Sequence, residues 1–149
     1  DYIGDYAFYQ CSSLNGVLTL GPELNGIGNY SFYQCSRLRG QINMSIFVEI
    51  VGSYAFFGCS QLTGPLTFSS NLEEIGDYAF YGCTNFNGDL HLGFGLRRVG
   101  SFAFYRCSRL TGSLRLGYRK TSISYPPYDD YNRIYRQCRV DDFTFYECT

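Results

Sequence analysis

The chain has 149 residues, of which 45% are hydrophobic and 17% are charged, and its formal net charge is −1. This composition excludes an intrinsically disordered chain, and the slight acidity without a recognised binding motif argues against nucleic acid as a partner. No apolar run approaches the roughly 20 residues of a membrane-spanning helix, so we expect no membrane insertion by this segment.

A 24-residue repeat organises the sequence from its first residues. The pair Ile3-Gly4 returns as Ile-Gly or Val-Gly every 24 residues up to Val99-Gly100. Phenylalanine, cysteine and glycine positions keep the same spacing through five rows, and the pattern restarts near Val140. A fixed period of about 20–29 residues is typical of a solenoid in which each repeat forms one coil stacked on the last.

The first element predicted in each coil is a short strand. In the third repeat Leu66 and Phe68 alternate with Pro65 and Thr67, which predicts a strand with one buried face. One such strand per coil would form a single parallel sheet. We expect the strands near Leu18, Ile42, Leu66, Leu90 and Leu114.

The second predicted element is a single helical turn. In the fourth repeat Ala79, Phe80 and Cys83 have helical spacing, and Asp77 just before them is a candidate N-cap. Glycines such as Gly76 and Gly88 would then allow tight corners between the strand and the turn. We expect Phe80 and Cys83 to be buried, and Thr67 and His91 to be exposed.

The coil resembles the BspA-type leucine-rich repeat family, whose repeat reads roughly LxxIxLPxxLxxIGxxAFxxCxxL. The likeness is clearest in LTGPLTFSSNLEEIGDYAFYGCTNF, and it covers about residues 1–116 and 140–149. The resemblance implies an α/β leucine-rich-repeat solenoid of 24-residue coils, with one short parallel strand and one short helical turn per coil. Proteins with this repeat resemble cell-surface or secreted adhesins of bacteria and mucosal protists, some of which bind host matrix proteins.

One solenoid domain is predicted over residues 1–149. Its parts are regular coils at 1–117, an irregular segment at 118–139 and a partial coil at 140–149. We interpret the irregular segment as an inserted loop of 17 extra residues, because its Tyr, Arg and Pro residues suit an exposed recognition element. The alternative is a degenerate coil that keeps Ile123 and Ile134 in register. Because both ends fall inside a coil, we expect the chain to be part of a longer protein.

The candidate binding residues lie on the outward side of the predicted strands and in the irregular segment. The strand positions are Thr19, Asn43, Thr67, His91 and Arg115. The irregular segment adds Tyr125, Tyr128, Tyr131 and Tyr135. We expect no catalytic residue, metal ligand or cofactor, because no base, nucleophile or paired carboxylate accompanies His91, the single histidine.

The cysteines allow three interpretations: disulfides, metal ligands or a buried ladder of free thiols. Six of the seven share one coil position, and no C-x-x-C cluster occurs. Side chains that point the same way rarely meet the geometry of a disulfide, so buried free thiols are favoured. Cys138 lies off this ladder and stays open as a free thiol or a partner of a neighbouring row.

Two further patterns each leave two interpretations open. Aromatic residues recur two positions before and one position after the core phenylalanine. They form either a ladder of rings that pack on one another or a strip that binds a ligand. Residues 1–96 carry a net charge of −6 and residues 97–149 carry +5. The basic end could receive an anionic partner or the acidic end of another chain, or it could be an ordinary solvated face.

The sequence therefore predicts a noncatalytic protein-binding or adhesion module at the cell surface or in a secreted protein. Its partner would be a protein, such as a host extracellular-matrix or surface protein. The alternative is an intracellular scaffold or structural repeat spacer without a ligand of its own. Asn29-Tyr-Ser31 and Asn43-Met-Ser45 also match the short N-glycosylation pattern.

Overall fold

The computed structural model describes residues 1–110, together with the strand segments 114–116 and 139–140. The chain winds into a parallel β-solenoid of about four turns with coils of about 24 residues. We number the coils from the repeat. Coil 1 is residues 1–24, coil 2 is 25–48, coil 3 is 49–72, coil 4 is 73–96, and coil 5 begins at 97.

The described residues contain ten strands. In chain order they are β1 (Tyr2–Ile3), β2 (Gly26–Ile27), β3 (Gly40–Gln41), β4 (Ile50–Val51), β5 (Leu62–Thr67), β6 (Glu74–Ile75), β7 (Phe86–Leu92), β8 (Arg98–Val99), β9 (Leu114–Leu116) and β10 (Arg139–Val140). They form two parallel sheets rather than the single sheet predicted. We call β1-β2-β4-β6-β8-β10 the narrow sheet and β3-β5-β7-β9 the wide sheet.

The prediction of one strand per coil is therefore corrected. Leu66, Leu90 and Leu114 lie in β5, β7 and β9 as expected, whereas Leu18 and Ile42 lie outside any strand. The narrow sheet sits at the Ile-Gly positions, which were assigned to a corner. Its strands are two residues long, so they are too short to show the alternation by which a strand is recognised in a sequence.

Glycines in the left-handed region mark a change of register in the wide sheet. Gly64 is opposite Phe86, but two residues later Leu66 is opposite Leu90. Gly64 has a φ of 86° and Gly88 a φ of 84°. A side chain is strained at such angles, so both positions favour glycine. Gly88 nevertheless lies inside β7, so the corner predicted there is corrected to an irregularity within the strand.

No helix occurs among residues 1–110, so the predicted helical turn is wrong. In coil 4 the N–H groups of Ala79, Tyr81 and Cys83 donate to carbonyls three residues earlier in the same coil. The alternate N–H groups, of Tyr78, Phe80 and Gly82, donate instead to carbonyls of coil 5 at 2.8–2.9 Å. Because every second N–H bonds the next coil, the continuous i to i−4 ladder of a helix cannot form.

Asp77 likewise serves the neighbouring coil and does not cap a helix. Its Oδ1 accepts the N–H of Ser101 at 2.9 Å. Beside the narrow sheet Gly100 of coil 5 also donates to coil 4, to the carbonyl of Ile75 at 2.8 Å, whereas Tyr78 and Phe80 donate from coil 4 to coil 5. Each pair of coils is therefore joined by hydrogen bonds that point in both directions along the solenoid.

The core lies between the two sheets and the turns, and each interior coil fills it with the same residue types. Phe56, Phe80 and Phe104 are fully buried and stack on one another with ring centroids 5.3 Å apart. Leu66 is fully buried while Thr67 is exposed, which confirms the predicted alternation of β5. The repeated apolar stretch thus buries its residues against the coils on either side.

The narrow sheet continues past the regular repeats. Val140 in β10 is opposite Val99 in β8, so it occupies the next rung although it lies 41 residues further along the chain. This pairing agrees with a repeat that restarts near Val140 after an excess of 17 residues. Residues 117–138 lie outside the described residues, so the choice between loop and degenerate coil stays a prediction.

Candidate functional site

Three of the candidate strand residues, Thr67, His91 and Arg115, are in register in the wide sheet, whereas Thr19 and Asn43 lie outside any strand. Thr67 is opposite His91 in the register of β5 and β7, and His91 is opposite Arg115 in that of β7 and β9. Adjacent strands lie about 4.8 Å apart, so three of the predicted residues occupy consecutive rungs. We call the row Thr19, Asn43, Thr67, His91 and Arg115 the outward row.

Exposure along the outward row follows the prediction with one adjustment. Thr19, Asn43 and Thr67 are exposed, whereas His91 is only partly exposed. Only the backbone of Arg115 is described, and Tyr125, Tyr128, Tyr131 and Tyr135 lie outside the described residues. The row is therefore a polar surface whose side-chain type changes from coil to coil, above a core whose residue types hardly change.

His91 has one charged neighbour on its own strand. Its Nε2 lies 3.6 Å from Oδ2 of Asp89, and the two side chains are 39% and 44% exposed. An ion pair this exposed contributes at most about 1 kcal/mol even when the histidine is protonated.

The aromatic ladders predicted from the sequence are present on the turn side of the coils. The first column is Tyr6, Tyr30, Tyr54, Tyr78 and Phe102, stacked at 4.6–5.0 Å. The second is Tyr9, Tyr33, Phe57, Tyr81 and Tyr105, stacked at 4.6–5.0 Å. Because neighbouring rings cover each other's faces, the geometry favours self-packing over a strip that stacks on a ligand.

Two features of these ladders could not be read from the sequence. All five residues of the first column adopt left-handed backbone angles, with φ between 55° and 57°. That conformation costs about 1–2 kcal/mol for a residue with a side chain, and an aromatic pair returns about 0.5–1.5 kcal/mol. Burial and the neighbouring phenols raise the pKa of Tyr30 and of Tyr54.

The buried ladder of free thiols is confirmed for the described cysteines. Cys35, Cys59, Cys83 and Cys107 are buried and form no disulfide, and Cys11 is partly exposed in coil 1. Each buried Sγ donates to a phenylalanine carbonyl of the preceding coil, as Cys59 does to Phe32 at 3.0 Å. Burial raises the pKa of Cys35 to about 11 and that of Cys59 further. These thiols are therefore inert at neutral pH.

An ionic cluster between coils 4 and 5 was missed by the sequence reading. Arg98 donates to Glu74 at 2.8 Å and to Oδ1 of Asp77, and Arg97 lies 3.0 Å from Glu73. The cluster could have been predicted, because Glu73 and Arg97 are 24 residues apart and stacking places residues one repeat apart side by side. Much of the charge at this boundary is thus neutralised within the chain.

The structure separates the two glycosylation patterns. Asn43 is exposed on the outward row. Asn29 is exposed as well, but its Oδ1 accepts the N–H of Ser53 at 2.8 Å and its Nδ2 donates to Asp5 at 3.4 Å. The serines of both patterns, Ser31 and Ser45, are buried, so the two patterns differ in the hydrogen bonds of Asn29.

Neither a metal site nor a membrane span is found in the part of the chain that is described. Residues there form no group of three or more His, Cys, Asp or Glu side chains able to hold a metal ion. None of the described segments is a helix long and apolar enough to cross a membrane.

Comparison with known proteins identifies the repeat. The BspA type leucine-rich repeat region matches residues 1–111 in six copies. The chain belongs to the BspA-type leucine-rich repeat family. A search of curated proteins found no match.

Two solved structures show the same fold. One is a leucine-rich cell surface protein from Faecalibacterium prausnitzii, with a TM-score of 0.60, 25% identity, and coverage of 76% of this chain and 29% of that one. Another is a leucine-rich repeat protein from Bacteroides ovatus, with a TM-score of 0.53, 31% identity, and coverage of 68% of this chain and 25% of that one. This BspA-type chain thus spans less than a third of either relative.

Proposed function

We propose that this BspA-type repeat chain is a noncatalytic protein-binding module of a cell-surface or secreted protein. The outward row, extended by the irregular segment 118–139, would be the binding surface. The observation that carries the proposal is the alignment of Thr67, His91 and Arg115 on consecutive rungs, because it places residues of three different polar types in one line across the strands. The surface location is supported by the cell-surface relative from Faecalibacterium prausnitzii.

Two other described surfaces, the turn side and the surroundings of Arg98, are largely occupied by contacts within the chain. On the turn side, ring faces are covered by neighbouring rings, as for Tyr54 and Tyr78 at 4.8 Å. Near the narrow sheet, Arg98 is engaged by Glu74 and Asp77. The side chains of Thr19, Asn43 and Thr67 are exposed and form no hydrogen bond with the described residues. A protein partner could therefore bind there while breaking few contacts within the chain.

The proposal is tested by binding of the immobilised chain to purified fibronectin, laminin, collagen and fibrinogen, measured by surface plasmon resonance. The decisive variant is Thr67→Arg, because an arginine already occupies the equivalent place at Arg115. The control is Gln34→Arg on the turn side, where coil 5 carries Arg106 at the equivalent position and left-handed backbone. We expect Thr67→Arg to weaken binding at least about tenfold and Gln34→Arg to leave it unchanged.

Equal loss of binding with both variants would remove the outward row as the site. If the chain binds none of these proteins, and surface labelling of intact cells does not reach it, the intracellular scaffold or spacer becomes the better account. Activity as a binding module needs neither a cofactor nor a catalytic residue, so no reaction is assigned to the chain.

A further inference from the structure

Four large apolar side chains lie exposed where the chain passes from the wide sheet to the narrow sheet. Ile46 is 64% exposed, Phe47 43% and Ile50 40%, and Phe94 is 59% exposed two coils further along. The first three have described coils on both sides, so their exposure does not depend on an end of the chain. We call residues 46–50, 70–74 and 94–98 the connecting edge.

The connecting edge repeats with the period of the coils. The N–H of Glu73 donates to the carbonyl of Glu49 at 2.7 Å, and the N–H of Arg97 donates to the carbonyl of Glu73 at 2.8 Å. Likewise Nδ2 of Asn71 donates to the carbonyl of Ile46 at 2.8 Å. Three columns of residues cross the edge: Ile46, Ser70 and Phe94; Phe47, Asn71 and Gly95; and Glu49, Glu73 and Arg97. Since adjacent coils are about 4.8 Å apart, the first and last residues of each column are equally distant from the middle one.

The first and last residues of these columns complement each other. A half turn about an axis that crosses the edge at Ser70, perpendicular to the solenoid axis, exchanges the two ends of every column. A second copy related by this rotation would place its Phe94 against Ile46 and its Gly95 against Phe47. Two exposed apolar side chains would then cover each other, and a large ring would meet a residue without a side chain. Because the rotation is two-fold, each contact occurs twice.

Charge is complementary in the same arrangement. Glu49 is exposed and forms no ion pair with the described residues. Arg97 lies 3.0 Å from Glu73, and because the two side chains are 54% and 44% exposed, the guanidinium can donate to a second carboxylate. The second copy's Arg97 would face Glu49. In a parallel arrangement each of these residues would face its own copy, and like charges would repel. Charge therefore favours a second copy in the antiparallel direction.

We propose that the connecting edge is the interface of an antiparallel dimer of this chain, with its two-fold axis at Ser70. The contact is isologous, so it closes at two copies and does not form open chains. Four apolar side chains per copy cover less than the roughly 1,600 Å² of a standard interface, so we expect a dissociation constant of about 1–100 µM. This dimer uses a different surface from the outward row and does not depend on the function proposed above.

The test is sedimentation velocity of the 149-residue chain at concentrations up to several hundred micromolar. The expected result is a mass that rises to the dimer and stops there. The decisive variant combines Ile46→Ser with Phe47→Asn, because coil 3 carries Ser70 and Asn71 at these positions and the fold accepts them. We expect this variant to associate at least about tenfold more weakly.

The matched control is Val17→Gln, which also replaces an exposed apolar side chain by the residue of the neighbouring coil. Val17 is 72% exposed and lies away from the connecting edge, and coil 2 carries Gln41 at its position. We expect this control to dimerise like the wild-type chain. Both variants should unfold cooperatively in a thermal scan at low concentration, which separates loss of the contact from loss of the fold.

Charge reversal tests the direction of the dimer. Glu49→Arg should weaken dimerisation at least about tenfold, because two arginines would then face each other across the contact. Adding Arg97→Glu to the same chain should restore dimerisation, since opposite charges face each other again, whereas a parallel contact would respond to neither change. The proposal would be overturned by a wild-type chain that stays monomeric, by a mass that rises past the dimer, by equal loss with Val17→Gln, or by a double exchange as weak as Glu49→Arg alone.

Discussion

Replacing Ser31 by alanine should stabilise the solenoid. Ser31 is fully buried, and its hydroxyl has no hydrogen-bond partner. The equivalent residues Ala55, Ala79 and Ala103 are also fully buried, so a methyl group suits this place in the core. An unsatisfied buried hydroxyl costs about 1–3 kcal/mol, and its removal leaves only a small void. We expect the free energy of unfolding of Ser31→Ala to rise by about 1 kcal/mol.

The measurement is urea unfolding followed by circular dichroism, with thermal unfolding as a second readout. A gain of about 1 kcal/mol corresponds to a rise of about 2–4 °C in the melting temperature for a chain of this size. Ala55→Ser is the reverse experiment in the next coil, and it should destabilise by a similar amount. The reasoning would be refuted if Ser31→Ala were equally or less stable while the slope of the free energy of unfolding against urea concentration stayed unchanged. The hydroxyl of Ser31 would then have a hydrogen-bond partner in the folded protein.

Three further predictions concern stacking, pH and the irregular segment. Gly76→Ala should destabilise by at least about 2 kcal/mol in urea unfolding, because its Cβ would lie 2.4 Å from the backbone nitrogen of Ser53, whereas Gly21→Ala should be neutral. Burial raises the thiol pKa values in the folded state, so unfolding releases thiol protons at alkaline pH. The free energy of unfolding should therefore fall as the pH rises above 9, by up to about 1.4 kcal/mol per buried thiol between pH 8 and 10. Cys59→Ala should reduce this dependence on pH. Deleting residues 120–136 should leave the melting temperature nearly unchanged if the segment is a loop, and a large drop would favour the degenerate coil.

The solenoid was predictable because its signal is repeated. The 24-residue period places Phe80 above Phe56 and Cys83 above Cys59 without any knowledge of local conformation. The helical turn was predicted wrongly because the spacing of Ala79, Phe80 and Cys83 also fits a non-helical turn. In that turn every second N–H group bonds the next coil. Local spacing alone cannot distinguish these two arrangements, since each buries the same three side chains.

The outward row was predictable for the same reason as the core, because a strand alternates its side chains. The prediction holds for Thr67, and for His91 it overestimates exposure. The left-handed backbone of Tyr54 and Tyr78 was not predictable, because aromatic residues rarely adopt it. Gln34 of the same turn has a φ of 55° without belonging to a ring ladder, and like Tyr54 and Tyr78 it donates its N–H to the next coil. The hydrogen bonds between coils therefore favour this conformation, and the ring contacts add to them.

The two directions of hydrogen bonding between coils have a consequence for length. An α-helix aligns its peptide dipoles and collects about half a unit charge at each end. Here Gly100 donates back towards coil 4, while Tyr78 and Phe80 donate forward to coil 5. Opposed donations largely cancel along the axis, so each added coil contributes almost no net dipole. The ends of the solenoid therefore carry little of the backbone charge that a helix carries at its ends, and whole coils can be gained or lost without an electrostatic penalty from the backbone.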